Sequence, residues 1–455
     1  LKELFRDNLS SVQILERLFV TANKTGEYAD KEIYGQGLLD LKKASSPVGS
    51  TLFYTRSSIY SKALSSTSSN IFLTKSFGDG LKNSLGKTKL SIFDALGAPF
   101  SVPVSSFMRS NISSSKNMER LFNFKEKKYG YISSQGFEFY SSWKRFLNST
   151  GAEVNKIDFA EINFRRKDTL LSLAFGKNPS SNFLDTSEEL LIYQSFYDKE
   201  AFLNPWLNLV EEGYSLGFSN RLNELYFDLN IFSGFKRSED WFLKPNYYFQ
   251  KTKNESKGFN LTFRNNILSK FMIGYTLGFL ETNNGLFDNR FNGAFSIIED
   301  TKSIFSSISF KSSFAKELSF IGSINYSNSS NINSDKIIKN ISGLEEFSFD
   351  FALIKKSLFY KDDFLSFRIK QDPRIEKARV SLNIPKGRNP NGVVEFKSVT
   401  LPITPSGREI NFETSWSFHR DNRKSFINLS FIDDKDHIKS KDIEISLIFA
   451  HQRFF

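Results

Sequence analysis

Apolar residues recur at every second position, in segment after segment, from about residue 156 to the end of the chain. In the last segment Ile443, Ile445, Leu447 and Phe449 fall on one face, with Glu444, Ser446 and Ala450 on the other and Ile448 as the exception. A period of two is that of a β-strand whose two faces meet different media. The same alternation runs through Leu171, Leu173 and Phe175, through Leu225, Phe227, Leu229 and Ile231, and through Phe259, Leu261 and Phe263. It returns at Phe347, Phe349, Phe351 and Leu353, at Val380, Leu382 and Ile384, and at Ile427, Leu429 and Phe431. No helical period intervenes. A chain written this way is mainly β.

Turn-forming clusters separate these segments: Asn283-Asn284-Gly285, residues 328–333, 386–392 and Asp433-Asp434-Lys435-Asp436. Alternating segments of about ten residues, joined by short turns and longer polar loops, are the pattern of a transmembrane antiparallel β-barrel. In hydrocarbon every backbone N–H and C=O must be paired, so strands that cross a membrane must close into a ring. Counting alternating segments gives about twelve to sixteen strands. The final strand resembles the closing strand of a bacterial outer-membrane barrel: its apolar face ends on an aromatic, Phe455, at the matching parity, although His451 and Arg453 interrupt that face. A loop such as 386–392 is expected on the outer side.

The composition agrees. Mean hydropathy is −0.34, and no apolar run reaches the ~18 residues of a transmembrane helix, yet a barrel turns only alternate residues to lipid. The 455 residues include no Cys, so there is no disulfide framework, thiolate nucleophile or Cys-ligated metal. A cysteine-free chain also suits passage through an oxidising periplasm. The net charge of +11 is spread along the chain with no basic, aromatic-interleaved block, which argues against a nucleic-acid partner. No signal peptide precedes the strands, so the chain reads as the downstream part of a longer precursor.

The first residues have a different period. Leu1, Leu4, Phe5, Val12, Leu15, Leu18, Phe19 and Ala22 recur at spacings of three, four and seven, as in an amphipathic helix that Thr25-Gly26 ends. Then come Tyr34-Gly35-Gln36-Gly37-Leu38-Leu39-Asp40 and Lys42-Lys43-Ala44. That order resembles the end of a subtilisin-like serine protease domain. Phe77-Gly78-Asp79-Gly80-Leu81 and Phe93-Asp94-Ala95-Leu96-Gly97-Ala98-Pro99-Phe100 resemble the connector of subtilisin-type autotransporters, with Ala98 where that family commonly has Arg. Three stretches in family order extend the likeness: 280–295, 364–385 and 401–418.

The resemblance implies three parts: residues 1–48 as the C-terminal remnant of a subtilisin-like α/β peptidase domain, 49–155 as a serine-rich connector, and 156–455 as an outer-membrane barrel of about twelve strands. It also implies that a segment within roughly 110–150 passes through the pore, where 118–128 is a candidate helix. The function implied is export and anchoring of a protease passenger at the outer membrane, with the N-terminal side extracellular. Outer-membrane lipid, the upstream passenger and the barrel-assembly machinery are the implied partners of a monomer. The parent activity would be serine endopeptidase, but the triad is not in this chain. No Ser stands in a G-T-S-x-A context, and the three histidines, His419, His437 and His451, all lie in the C-terminal strand region. We therefore expect no catalytic residue, cofactor or metal here. Gly35, Gly37 and Asp40 read as turn and packing residues, and Asp79 and Asp94 as turn formers. Two alternatives remain open from the residues: a porin or transporter-like barrel, and a secreted soluble β-rich adhesin.

Overall fold

The computed structural model describes residues 1–86, 88–110, 127–147, 153–177, 205–210, 212–238, 252–268, 270–283, 285–286, 289–297, 299–315, 317–361, 363–420 and 423–453. Among the described residues, fifteen strands that pair in one succession dominate it, and a further one, Val394–Pro402, pairs with the end of the strand Asp363–Arg388. The fifteen are β1 (Lys127–Ser134), β2 (Phe137–Leu147), β3 (Glu153–Arg166), β4 (Thr169–Lys177) and β5 (Glu212–Leu222). Next come β6 (Leu225–Ser238), β7 (Thr252–Leu268), β8 (Phe271–Thr282), β9 (Thr301–Ala315) and β10 (Leu318–Ser329). The last are β11 (Ile338–Lys356), β12 (Asp363–Arg388), β13 (Ile410–Arg420), β14 (Arg423–Asp433) and β15 (Glu444–Arg453). Each pairs antiparallel with the next, through fourteen pairings in succession. The neighbour order then returns from β15 to β1.

The family resemblance implied about twelve strands and the count of alternating segments twelve to sixteen. β4 to β15 are twelve, and the additional three, β1 to β3, occupy 127–166, most of which was assigned to the connector. Among the described residues the first of these strands begins at Lys127, and β3 runs across residue 156. The signal was present in Phe137, Phe139 and Ser141, but a serine-rich context and short apolar runs hid it. Of the candidate helix at 118–128, only Lys127 and Lys128 lie within the described residues, and both belong to β1.

The sheet is inverted in polarity. Leu171, Leu173 and Phe175 on β4, Ile304 on β9 and Ile445, Leu447 and Phe449 on β15 are exposed. Inward positions on several strands carry buried polar residues: Ser172, Asn260, Thr262, Ser303, Ser307, Ser323 and Asn325. On β11, Ser348, Asp350 and Ala352 are buried between the outward Phe347, Phe349, Phe351 and Leu353, as their parity predicts. One end of the sheet carries two-residue turns, Gln135-Gly136, Lys167-Asp168 and Asn223-Glu224, where Gly136, Lys167 and Asn223 adopt positive φ. The other end carries the long connections 283–300, 330–337, 389–409 and 434–443.

Apolar packing concentrates at that second end. The connector builds one small sheet from Leu52–Phe53, Leu64–Ser65, Lys89–Phe93 and Pro99–Pro103. Its Ile71–Leu73 joins a second sheet with Asn289–Phe291, which comes from a long connection. Phe53, Ile71, Phe77 and Leu85 bury against Phe295, Ile337, Ile375 and Ile384, so the connector forms a cap over the long-loop end.

Residues 1–48 sit on this cap. The expected single helix is broken: a turn at Lys2–Phe5 is followed by α1 (Ser11–Thr21). Ser10 starts the new helix with a capping box, its Oγ accepting from Gln13 N at 3.2 Å while Gln13 Oε1 accepts from Ser10 N at 2.9 Å. Arg17, buried, donates to Ala44 O at 2.6 Å and to Asp94 Oδ2 at 2.6 Å. Much of the face expected to form core is instead open: Val12, Leu15 and Phe19 are exposed, as are Ile33, Leu39 and Leu41. None of the helices among the described residues is long and apolar enough to cross a membrane.

Candidate functional site

Charged side chains reach the interior from three adjacent strands, β11, β12 and β13. Because residues two apart share a face of a strand, Arg368, Lys370 and Asp372 on β12 all point inward. The register sets Arg368 opposite Ala352 on β11 and Glu413 on β13. Arg368 grips Asp350 with both arms of its guanidinium, Nε donating to Oδ1 at 2.7 Å and Nη2 to Oδ2. Its Nη1 lies 3.7 Å from Glu413 Oε2, and Lys370 Nζ lies 3.7 Å from Glu413 Oε1 and 3.7 Å from Asp372 Oδ1. Charges thus alternate in sign up the inner wall.

The line ends on the cap. Lys75 comes from the connector, its Nζ donating to Glu409 Oε1 at 2.6 Å and to Asp372 Oδ2 at 3.2 Å, with Asp436 Oδ1 at 3.9 Å. Burial opposes the Lys75 ammonium, but Asp372 and Glu409, then Asp436, push its pKa above the ordinary lysine range. The cap therefore supplies the cation that closes a row of barrel carboxylates. Asp79 adds a second tie, accepting from Ser406 N at 2.8 Å and Ser406 Oγ at 2.6 Å. Gly78, at φ 47, makes the approach possible: a Cβ there would sit 2.9 Å from His437 O.

His437 is the buried base of this junction. Its Nδ1 accepts from Glu409 N at 2.9 Å, so the proton is on Nε2, which donates to Pro373 O at 3.2 Å. Burial depresses its pKa to about 4, against the pull of Glu409 and Asp372. An ordinary histidine titrates near 6.5, so an unfolded chain takes up a proton that the folded one refuses between about pH 6.5 and 4. Stability from His437 is complete above that window and is lost as the pH falls through it, by about 3 kcal/mol in total. His437→Asn, which tolerates the positive φ of this position, should flatten that slope. Denaturation of the folded chain in micelles at pH 7.5 and 4.5 measures it, and equal slopes in both proteins would remove His437 as the source.

The residues singled out in the sequence fall in turns. Gly35 and Gly37 take φ values of 57 and 96, and Asp40 Oδ1 caps the helix Leu41–Ala44 by accepting from Lys43 N at 2.9 Å. Asp94 shapes its own loop, accepting from Leu96 N and Ala98 N, and pairs with Arg17. His451 accompanies Ser425 at 2.7 Å, far from the cap. Among the described residues no cluster of His, Asp and Glu is arranged to hold a metal. Sequence reasoning gave no role to Arg368, Lys370, Asp372, Glu409 or Glu413, although charges spaced by two within an apolar strand are themselves a sign of inward-facing groups.

No family model and no curated protein matches the chain. Solved structures do. The trimer form of OmpT, an outer membrane protein of Vibrio cholerae, is 9% identical with a TM-score of 0.38, covering 71% of this chain and 88% of its own. Salmonella typhi OmpF in complex with daunomycin is 10% identical with a TM-score of 0.36, covering 71% and 88%. The toluene transporter TodX of Pseudomonas putida is 11% identical with a TM-score of 0.30, covering 53% and 73%.

Proposed function

We propose that this chain is an outer-membrane β-barrel whose polar lumen is a conduit held shut at its long-loop end by the chain's own connector. The observation that carries this is the inverted polarity of the sheet, apolar outside and polar within. A soluble protein of this size would bury those apolar rows. Four inward atoms on β7, β9, β10 and β11, Asn260 Oδ1, Ser307 Oγ, Asn325 Oδ1 and Ser348 Oγ, have no protein partner, and water or a polar solute is what satisfies such groups. The row of charges ending on Lys75 supplies the latch.

Cysteine placed singly at 347–353 in this cysteine-free chain tests the reading. In bilayers the odd positions should meet a lipid-soluble spin probe and resist an aqueous thiol reagent, with the even positions shielded from lipid. If the odd positions are shielded from lipid and water alike, the apolar face is packed on protein and the proposal fails.

A second reading is favoured by the open apolar face of Val12, Leu15, Phe19, Ile33 and Leu39, held outside the barrel on the cap. There, residues 1–48 would be the tail of a subtilisin-like peptidase passenger seated on the long-loop, extracellular side. The barrel would export and anchor it, as a monomer inserted by the assembly machinery, with peptide hydrolysis performed by residues outside this chain. Fusing such a domain upstream and finding its folding and surface display unaffected by polar substitutions at Val12, Leu15 and Phe19 would count against this reading.

A further inference from the structure

Arg388 ends the long strand β12 beyond the barrel wall, where three parts of the chain converge. Its backbone N donates to Asn8 Oδ1 at 2.9 Å, from the N-terminal segment. From the connector, Gly97 faces the guanidinium: a Cβ built there would lie 3.6 Å from Cζ and 3.7 Å from Nη1. Only 3% of Arg388 is exposed. Yet its Nε has no partner, and among the described residues its side chain forms no hydrogen bond or ion pair.

Two other deeply buried arginines differ. Arg17 holds Asp94 and Arg368 holds Asp350. Asp94 is also a charged neighbour of Arg388, together with the phenols of Tyr54 and Tyr60, but its acceptors are already engaged. Oδ1 takes Leu96 N at 3.1 Å and Ala98 N at 2.9 Å, while Oδ2 takes Arg17 Nη1 at 2.6 Å and Val48 N at 2.9 Å. Two cations therefore share one carboxylate. A guanidinium does not shed its proton in a protein, and a buried charge that must share its counter-ion is disfavoured. Burial pushes the Arg388 pKa below the ordinary arginine value, against the pull of Tyr60, Tyr54 and Asp94.

We propose that Arg388 is the anchor of a binding site for one small oxyanion, phosphate-like or carboxylate, at the junction of the N-terminal segment, the connector and the β12 tip. The planar fork of a guanidinium matches two oxygens of such an anion, which chloride does not offer. Gly97 has φ 70, where a side chain is strained, and the space its own Cβ would fill is bordered by Ile59 Cδ1 at 3.5 Å and the Arg388 guanidinium at 3.6 Å. Bound there, the anion would also fasten residues 1–48 to the cap, because Asn8 and Arg388 are joined through the same turn of chain.

The full chain, folded in micelles, is titrated with inorganic phosphate, sulfate and acetate at constant ionic strength set with chloride, and followed by calorimetry and thermal unfolding. We expect saturable one-to-one binding of at least one oxyanion and a rise in Tm that chloride does not produce. Arg388→Gln should weaken binding at least tenfold and abolish the rise in Tm. Arg388→Lys, which keeps the charge and loses the fork, should weaken it several-fold and carries the test if the Gln variant does not fold. The proposal is overturned if no oxyanion binds the native chain saturably, or if binding to the folded variant equals that of the native chain. Preference for phosphate and sulfate over acetate identifies a tetrahedral anion, and the reverse a carboxylate.

Discussion

Asp350→Asn should destabilise the folded barrel by about 3–5 kcal/mol, the cost of leaving a buried charge without its partner. The substitution keeps the shape of the side chain but removes the counter-charge from Arg368, whose side chain is fully buried. Glu413, at 3.7 Å, is already shared with Lys370 and replaces only part of what is lost. Urea unfolding in micelles, read by intrinsic fluorescence, gives the difference. The companion is Asp350→Leu with Arg368→Met, which removes both charges and should recover most of the loss. A single-variant loss below about 1 kcal/mol would mean that water screens the row as it does at a surface, and the latch would have no strength.

Leu447→Arg should cost about 2–4 kcal/mol in a bilayer if the residue lies near the midplane. Leu447 is 70% exposed, so in a water-soluble protein the same substitution would fall within about 0.5 kcal/mol of neutral. The sign and size of this one effect separate the two environments. The neighbouring Ile448 points inward and is 8% exposed, so Ile448→Ala should be costly in either medium by opening a cavity. Refolding into lipid vesicles, with unfolding followed by gel mobility, measures both. A neutral Leu447→Arg beside a costly Ile448→Ala would place the outer face of β15 in water.

Both predictions depend on parity, and parity was readable because it is local. A strand turns alternate residues to opposite sides whatever it pairs with, so Phe347 to Leu353 and Ile443 to Phe449 declared their faces without knowledge of a neighbour. Turn residues were readable for the same reason. Gly35, Gly37 and Asp94 sit where their own backbone and side-chain chemistry puts them.

What the amino-acid sequence determined by itself was thus the class of the fold, mainly β with two unlike faces, and the direction in which each well-patterned strand turns its apolar side. Tertiary structure alone decided who meets whom. Asp350, Arg368 and Glu413 are separated by 18 and 45 positions and meet only through the register of three strands. Lys75 reaches Asp372 and Glu409 across roughly 300 residues because the connector folds back over the long-loop end. The helix at the N-terminus broke at Ser10 because a capping box and the Arg17–Asp94 pair outweigh a continuous apolar period. Periodicity acts over a few residues through backbone geometry, whereas charge pairing and burial act through space between positions whose separation along the chain carries no trace of their contact.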